Sequence, residues 1–147
     1  MAPLADAHAL MFYDGLCRFC NTSVQWLLKH DQHDRFRFAP QQSAFAGEVL
    51  ARHGIDQAQM LKNNSVYLVL DFGTNAERLL ERSDVTVQSL FSLGGIWKAL
   101  GYAFQMVPKF VRDAGYTLIA KNRFRLAGRY AVCPLPSAAQ RAKFLGV

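Results

Sequence analysis

Two cysteines, Cys17 and Cys20, form a C-x-x-C pair that follows a short apolar run, residues 8–13, and opens a helical pattern. A pair placed between a strand and a helix puts one thiol at a helix N-terminus, where unpaired backbone N–H groups and the helix dipole stabilise negative charge. The thiolate is the reactive form of cysteine, and such positions lower the pKa of a thiol from about 8.5 to about 3.5–7.5. The pattern therefore predicts dithiol–disulfide chemistry.

Helical geometry predicts different roles for the two thiols. Cys20 shares one helical face with Val24 and Leu27, so its sulfur should turn toward the core. Cys17 lies about one turn earlier, at the exposed start of the helix, and Arg18 adds a positive charge that favours a thiolate there. We therefore expect Cys17 to be the nucleophile that attacks a substrate disulfide, and Cys20 to be the resolving thiol.

The neighbours of the pair complete a candidate active-site loop. For Asp14 three interpretations stay open: a proton acceptor for Cys20, an anchor of the loop through backbone N–H groups, or one half of an ordinary Asp-Gly turn. Gly15 is expected to serve the backbone geometry of this loop or a close approach of substrate. Arg18 and Phe19, which lie between the cysteines, are expected to contact the substrate.

Strand and helix patterns alternate along the chain. Periodicity and turn residues predict a strand over 8–13, a helix over 17–30, a strand over 36–38, a helix over 45–53, a hairpin over 65–72 and 77–82, and helices from 83 to about 124 that break near Gly94-Gly95 and Pro108. This order predicts an α/β fold, a thioredoxin-like mixed sheet (βαβα-ββα) flanked by helices, with a C-terminal helical extension. We expect one domain over residues 1–147, with a core of about 8–100 and an extension of about 101–147.

The active-site motif also resembles that of a known family. Asp14-Gly15-x-Cys17-x-x-Cys20 after a strand is similar to the signature of the DCC family, predicted thiol–disulfide oxidoreductases with a thioredoxin-like fold. Further segments resemble that family in the second strand, the helix after the hairpin and the C-terminal block: Phe38-Ala39-Pro40-x-Gln42-Ser43, Ser83-Asp84, Pro108, Arg112-Asp113, Tyr116, Ile119-Ala120, Asn122-Arg123-Phe124, Gly128 and Cys133-Pro134. The resemblance implies a dithiol active site at Cys17 and Cys20, and we expect no cofactor beyond their redox-active disulfide.

Composition limits the class of partner. The expected partner is a protein or low-molecular-weight compound that carries a disulfide or thiols. A net charge of +6 suits an acidic partner or an anionic membrane surface, but no zinc-finger, RNA-binding or phosphate-binding motif accompanies it, so we expect no nucleic acid.

Residues 90–107 carry Lys98 as their only formal charge, yet glycines and polar residues interrupt them, so we expect no transmembrane span, with peripheral membrane contact still open. Three cysteines and the absence of a signal-peptide pattern favour a cytoplasmic location.

Two other functions compete with redox catalysis. Cys17, Cys20, His30 and His33 have a spacing that resembles a zinc finger, although a helix that begins at the first cysteine would hold His30 roughly 15 Å or more away along its axis. The two thiolates, with help from Cys133, could also capture a soft metal ion. Alternatively, the helical extension could dock a partner or a membrane surface.

Overall fold

The computed structural model describes residues 9–32, 34–58, 66–72, 75–130 and 137–145. Its elements are four strands, five helices and a short 3-10 turn. In chain order they are β1 (Ala9–Tyr13), α1 (Arg18–His30), β2 (Phe36–Pro40), α2 (Ala44–Arg52), β3 (Tyr67–Leu70), β4 (Arg78–Glu81), α3 (Ser83–Leu93), α4 (Gly95–Gln105), α5 (Lys109–Ala127) and the 3-10 turn Arg141–Lys143.

The four strands form one mixed sheet in the order β2-β1-β3-β4. Strand β1 pairs in parallel with β2, with Ala9 opposite Phe36 and Tyr13 opposite Pro40. It pairs in antiparallel fashion with β3, which in turn forms an antiparallel hairpin with β4. Because β1 and β2 run parallel, their connection must cross over the sheet, and α1 provides that crossover. This is the thioredoxin-like arrangement that the sequence predicts.

The sheet separates two apolar layers, and β1 contributes to both. On one face, Met11 and Tyr13 pack with the buried side of α1, including Val24 and Leu27. On the opposite face, alternate residues of β1 join an apolar cluster that includes the buried side of α2. Since successive side chains of a strand point to opposite faces, β1 is buried along its whole length. It therefore provides a rigid base for the loop that follows Tyr13.

The C-terminal helices cover the side of the sheet on which α1 lies. Helix α3 packs against α4 over the close approach at Gly101, where an added Cβ would lie 2.9 Å from the Phe91 ring. Helix α5 packs against α1 and also contacts α3. The predicted breaks are confirmed: α3 ends before Gly94, which has a φ of +74°, and α5 begins directly after Pro108. The assignment of residues 1–147 to one domain stays a prediction.

Candidate active site

The loop between β1 and α1 is fixed by hydrogen bonds within itself. The Leu16 N–H donates to Asp14 Oδ1 at 3.0 Å, and the Cys17 N–H donates to the Asp14 carbonyl oxygen at 3.1 Å. One turn into the helix, the Asn21 side-chain amide donates to the carbonyl oxygens of Gly15 and Cys17, each at 2.9 Å. These contacts hold the backbone on both sides of Cys17, so the thiol is presented in one position.

Cys17 is the N-cap residue of α1, and its sulfur is itself the capping group. Its Sγ accepts a hydrogen bond from the Cys20 N–H at 3.3 Å, one of the donors that a helix leaves without an internal partner. Both Cys17 and Cys20 are free thiols, and both are buried. The cap therefore brings the positive end of the helix directly onto the sulfur of Cys17.

The two thiols differ strongly in acidity. A hydrogen bond from the Cys20 side chain lowers the pKa of Cys17 from 9.0 to about 6, with further contributions from the Cys20 N–H and the charge of Arg123 against the opposing effect of burial. The same side-chain hydrogen bond raises the pKa of Cys20, and burial raises it further. Near neutral pH the pair therefore holds one proton, which lies on Cys20, and one negative charge, which lies on Cys17.

A buried ion pair lies beside the thiols. Arg123 of α5 donates from Nη2 to Asp14 Oδ2 at 2.8 Å, and its Nη1 lies 4.0 Å from Cys20 Sγ. Asp14 and Arg123 are only 7% and 3% exposed. Because water is excluded, both charges act on the thiols with little screening: Arg123 lowers the pKa of Cys17, and Asp14 raises it.

Gln42, which lies between β2 and α2, connects that segment to the same loop. Its side-chain amide donates to Asp14 Oδ1 at 2.7 Å and its Oε1 accepts from the Gly15 N–H at 3.0 Å. Asp14 thus receives hydrogen bonds from Leu16, Gln42 and Arg123. These contacts are the ones that a loop anchor would make; a role of Asp14 as proton acceptor stays a prediction.

The prediction that Cys17 lies at an exposed helix start is wrong. Cys17 is 0% exposed, because the segment that follows α5, Gly128–Tyr130, pairs with the active-site loop. The Arg18 N–H donates to the Gly128 carbonyl oxygen at 3.3 Å, and the Tyr130 N–H donates to the Leu16 carbonyl oxygen at 2.8 Å, with Cys17 and Arg129 opposite each other. We call Gly128–Tyr130 the strap.

The predicted source of positive charge also needs correction. The Arg18 guanidinium lies over the Tyr130 ring of the strap, 4.5 Å from its centroid, and the cation that lowers the pKa of Cys17 is Arg123. Phe19 is partly exposed and lines a cavity beside Cys20, whereas Gly15 is buried under Gln42. Contacts of Gly15, Arg18 and Phe19 with a substrate stay predictions.

Roles for Arg123, Gln42 and the strap do not follow from the sequence patterns alone. One signal was present for Arg123: it interrupts an otherwise apolar helical face that includes Ile119 and Ala120, and a lone charge in such a position commonly has a buried partner. Nothing in the local pattern identifies the partner as Asp14, which lies 109 residues away.

Candidate metal ligands do not cluster in the described part of the chain. There, no three His, Cys, Asp or Glu side chains come together in a group that could hold a metal ion. His30 lies at the far end of α1, where its ring packs between Trp26 and Trp97. His33 and Cys133 lie outside the described residues.

Within the described ranges, no helix combines the length and the hydropathy that crossing a membrane requires.

Comparisons with known proteins bear on the same cysteines. Residues 11–129 match the family model of the DCC1-like thiol-disulfide oxidoreductases. The uncharacterized protein YuxK of Bacillus subtilis is 30% identical over 141 residues, which span 92% of this chain and 93% of that protein. A DCC family protein of Arabidopsis thaliana, named as chloroplastic, is 27% identical over 135 residues, or 88% of this chain and 71% of that protein. No solved structure matches. With its C-x-x-C pair inside the matched region, the chain belongs to the DCC1-like thiol-disulfide oxidoreductase family.

Proposed function

We propose that the protein is an enzyme that exchanges a Cys17–Cys20 dithiol and disulfide with a protein or low-molecular-weight disulfide substrate. The observation that carries this proposal is the asymmetry of the pair: Cys17, at the helix cap, has a pKa lowered to about 6, and its partner Cys20 keeps its proton. A thiolate that exists at neutral pH beside a protonated second thiol is the starting state for disulfide exchange.

In the proposed reaction, the Cys17 thiolate attacks one sulfur of a substrate disulfide. A bond forms between Cys17 Sγ and that sulfur, the substrate S–S bond breaks, and the other substrate sulfur leaves as a thiolate. Cys20 then loses its proton to solvent and attacks Cys17 Sγ, so that the second substrate sulfur leaves and a Cys17–Cys20 disulfide forms. Two electrons pass from the protein dithiol to the substrate, and the reverse sequence oxidises a substrate dithiol.

Access to Cys17 requires one rearrangement. Because Cys17 is buried and the strap pairs with the loop on both sides of it, we propose that a protein disulfide reaches Cys17 Sγ when the two strap hydrogen bonds open. Asp14, held by its three donors, is proposed to anchor the loop throughout the cycle. The proposed location is the cytoplasm, where a reducing environment would return the disulfide to the dithiol.

Reduction of insulin in the presence of dithiothreitol tests this function. Cys17→Ser should abolish turnover, and Cys20→Ser should accumulate a mixed disulfide between Cys17 and insulin, identified by peptide mass spectrometry. Cys133→Ser is the matched control, since it removes the remaining cysteine of the chain, and it should keep the wild-type rate. Equal activity of the Cys17 and Cys20 variants would contradict the proposed roles.

A second function is favoured by a separate surface. Helices α4 and α5 and the turn between them expose large apolar side chains. The most exposed are Met106 (85%), in the turn, Ile96 (78%) of α4 and Phe110 (77%) at the start of α5. The set also includes Leu100, Tyr102, Val111, Leu118 and Leu126. The same helices expose the cations Lys98, Lys121 and Arg125. Apolar side chains among cations on a chain of net charge +6 fit the surface of an anionic bilayer.

Flotation with lipid vesicles tests this second function. The protein should float with phosphatidylglycerol vesicles and remain behind with phosphatidylcholine vesicles, and added salt should weaken the binding. Phe110→Ser should reduce flotation because it removes an apolar side chain from the surface. Equal behaviour with both lipids would exclude electrostatic docking.

A further inference from the structure

A cavity of about 450 Å³ opens beside Cys20, between α1, α3 and α5. Its walls are mainly apolar and aromatic, with Met11, Tyr13, Phe19, Trp26, Leu27 and Ile119 among the lining residues. Sites for small ligands commonly have volumes of roughly 300–1,000 Å³ and walls of this composition, with a few polar groups that orient the ligand. The cavity thus has the size and the lining of a small-molecule site.

The thiol in the wall of this cavity is Cys20. Cys17 does not line the cavity, and it is shut off from solvent by the strap. A small molecule in the cavity therefore lies beside Cys20 without any movement of the strap. This route is distinct from the one that a protein disulfide must take to reach Cys17.

The wall also contains a buried hydroxyl that has no partner among the described residues. Ser89 of α3 is 6% exposed, and its hydroxyl, which is buried, has no hydrogen-bond partner in the described structure. An unpaired buried hydroxyl is unfavourable, so such a group is often satisfied by a ligand or a water molecule. Because Ser89 lines the cavity, its hydroxyl is a candidate donor to a polar atom of a bound molecule.

We propose that this cavity binds the apolar, aromatic group of a low-molecular-weight thiol or of its disulfide, and thereby brings the sulfur of that compound to Cys20. The proposal rests on the proposed exchange function and names a substrate class for it. A peptide chain fits the cavity less well, because each residue would bring a backbone N–H and C=O that need hydrogen-bond partners within a largely apolar wall.

The reaction follows from the position of Cys20. In the disulfide form of the protein, the bound thiolate RS⁻ attacks Cys20 Sγ; an R–S–S–Cys20 bond forms, the Cys17–Cys20 bond breaks, and Cys17 leaves as a thiolate. A thiol of lower pKa leaves faster, and the pKa of Cys17 is lowered to about 6. A second RSH then releases RSSR and leaves Cys20 as a thiol, so two RSH are oxidised and one protein disulfide is reduced.

Reduction of the oxidised protein by two uncharged thiols tests the proposal. Benzyl mercaptan carries an aromatic ring, and 2-mercaptoethanol does not. Because the two thiols differ in intrinsic reactivity, the rate at which each reduces the protein is divided by the rate at which it reduces glutathione disulfide. We expect the normalised rate with benzyl mercaptan to saturate with concentration and to be at least about tenfold higher at low concentration, because the ring leaves water. After acid quenching and alkylation, the benzyl adduct should be found on Cys20.

Variants that fill the cavity supply the control. Ala120→Trp places an indole in the cavity from α5, and Ala114→Trp places one on the exposed surface of the same helix. Ala120→Trp should remove saturation and lower the benzyl mercaptan rate toward that of 2-mercaptoethanol, and Ala114→Trp should not. Thr86→Trp fills the cavity from α3, at an exposed position, and serves if Ala120→Trp does not fold.

The outcomes separate this inference from the exchange function. Equal normalised rates for the two thiols, or a benzyl adduct on Cys17, would overturn the cavity as substrate site while leaving disulfide exchange intact. A Cys17–Cys20 disulfide that no thiol reduces would overturn both. Saturation that is lost with the filling variants and kept in Ala114→Trp supports the proposal.

Discussion

Substitutions in the ion pair between Asp14 and Arg123 should change two quantities differently: the free energy of unfolding and the pKa of Cys17. Both side chains are buried, and their charged atoms lie 2.8 Å apart. Removal of one partner from a buried pair typically costs about 3–5 kcal/mol, because the other charge remains in a site without water. Asp14→Asn and Arg123→Met should therefore each lower the free energy of unfolding by an amount of that order. The double variant should lose less than the sum of the two.

The same two substitutions should move the pKa of Cys17 in opposite directions. Arg123 lowers this pKa and Asp14 raises it, so Arg123→Met should raise the pKa of Cys17 above about 6, and Asp14→Asn should lower it. A loop that simply became disordered would instead return the pKa toward 9.0 in both variants. The sign of the change therefore distinguishes a charge effect from a structural one.

Urea unfolding of the oxidised protein measures the stability change, and the pH dependence of iodoacetamide labelling at Cys17, followed by peptide mass spectrometry, measures the pKa. Arg125→Met is the matched control, because it removes an exposed arginine from the same helix and should change both quantities little. Shifts of the pKa in the same direction for both variants, or equal effects of Arg123→Met and Arg125→Met, would refute the electrostatic role of the pair.

Three further predictions concern the strap, the cap and pH. Gly128→Ala should strain the strap at its φ of +89° and therefore speed the labelling of Cys17 without changing the pKa of that thiol. Gly54→Ala is the control, because Gly54 has a φ of +79° and open space around it, and it should leave the labelling rate unchanged. Equal labelling rates in the two variants would contradict the covering role of the strap. Cys17→Ala should be less stable than Cys17→Ser by about 1 kcal/mol in urea unfolding. Serine keeps a side-chain atom that can accept the hydrogen bond from the Cys20 N–H, and alanine does not. Equal stability of the two variants would show that the sulfur does not cap the helix. Because the pKa of Cys17 is lowered on folding, the unfolded dithiol protein binds more protons than the folded one between about pH 6 and 9. The stability of the dithiol form should therefore rise with pH in this range, by up to about 1.4 kcal/mol per unit. This contribution of Cys17 should be lost as the pH falls through about 6. The disulfide form lacks this titration, and an identical pH dependence for both forms would contradict it.

The sequence predicts the fold and the location of the dithiol because the relevant signals are local. The apolar run of β1, the alternating residues of β2 and the glycine and proline breaks before α4 and α5 each act within a few residues, and each leads to the correct element. The position of Cys20 on the buried face of α1 is likewise confirmed, since helical spacing alone determines it.

The electrostatics and the covering of the site could not be predicted in the same way. They arise from contacts over more than a hundred residues: Arg123 reaches Asp14, and the strap reaches Leu16 and Arg18. Sequence proximity pointed to Arg18 as the cation near Cys17, but the Arg18 side chain stacks on the strap. Tertiary packing of α5 against α1 determines both features, and no local pattern encodes it.

The most direct test of the central claim is a titration of the reduced protein, monitored by the ultraviolet absorbance of the thiolate, which requires no reagent to enter the buried site. With the oxidised protein as the blank, one thiolate should form with a pKa of about 6, and Cys17→Ser should remove this transition. A reduced protein in which no thiolate forms until the pH approaches 9.0 would show that the pKa of Cys17 is not lowered by folding.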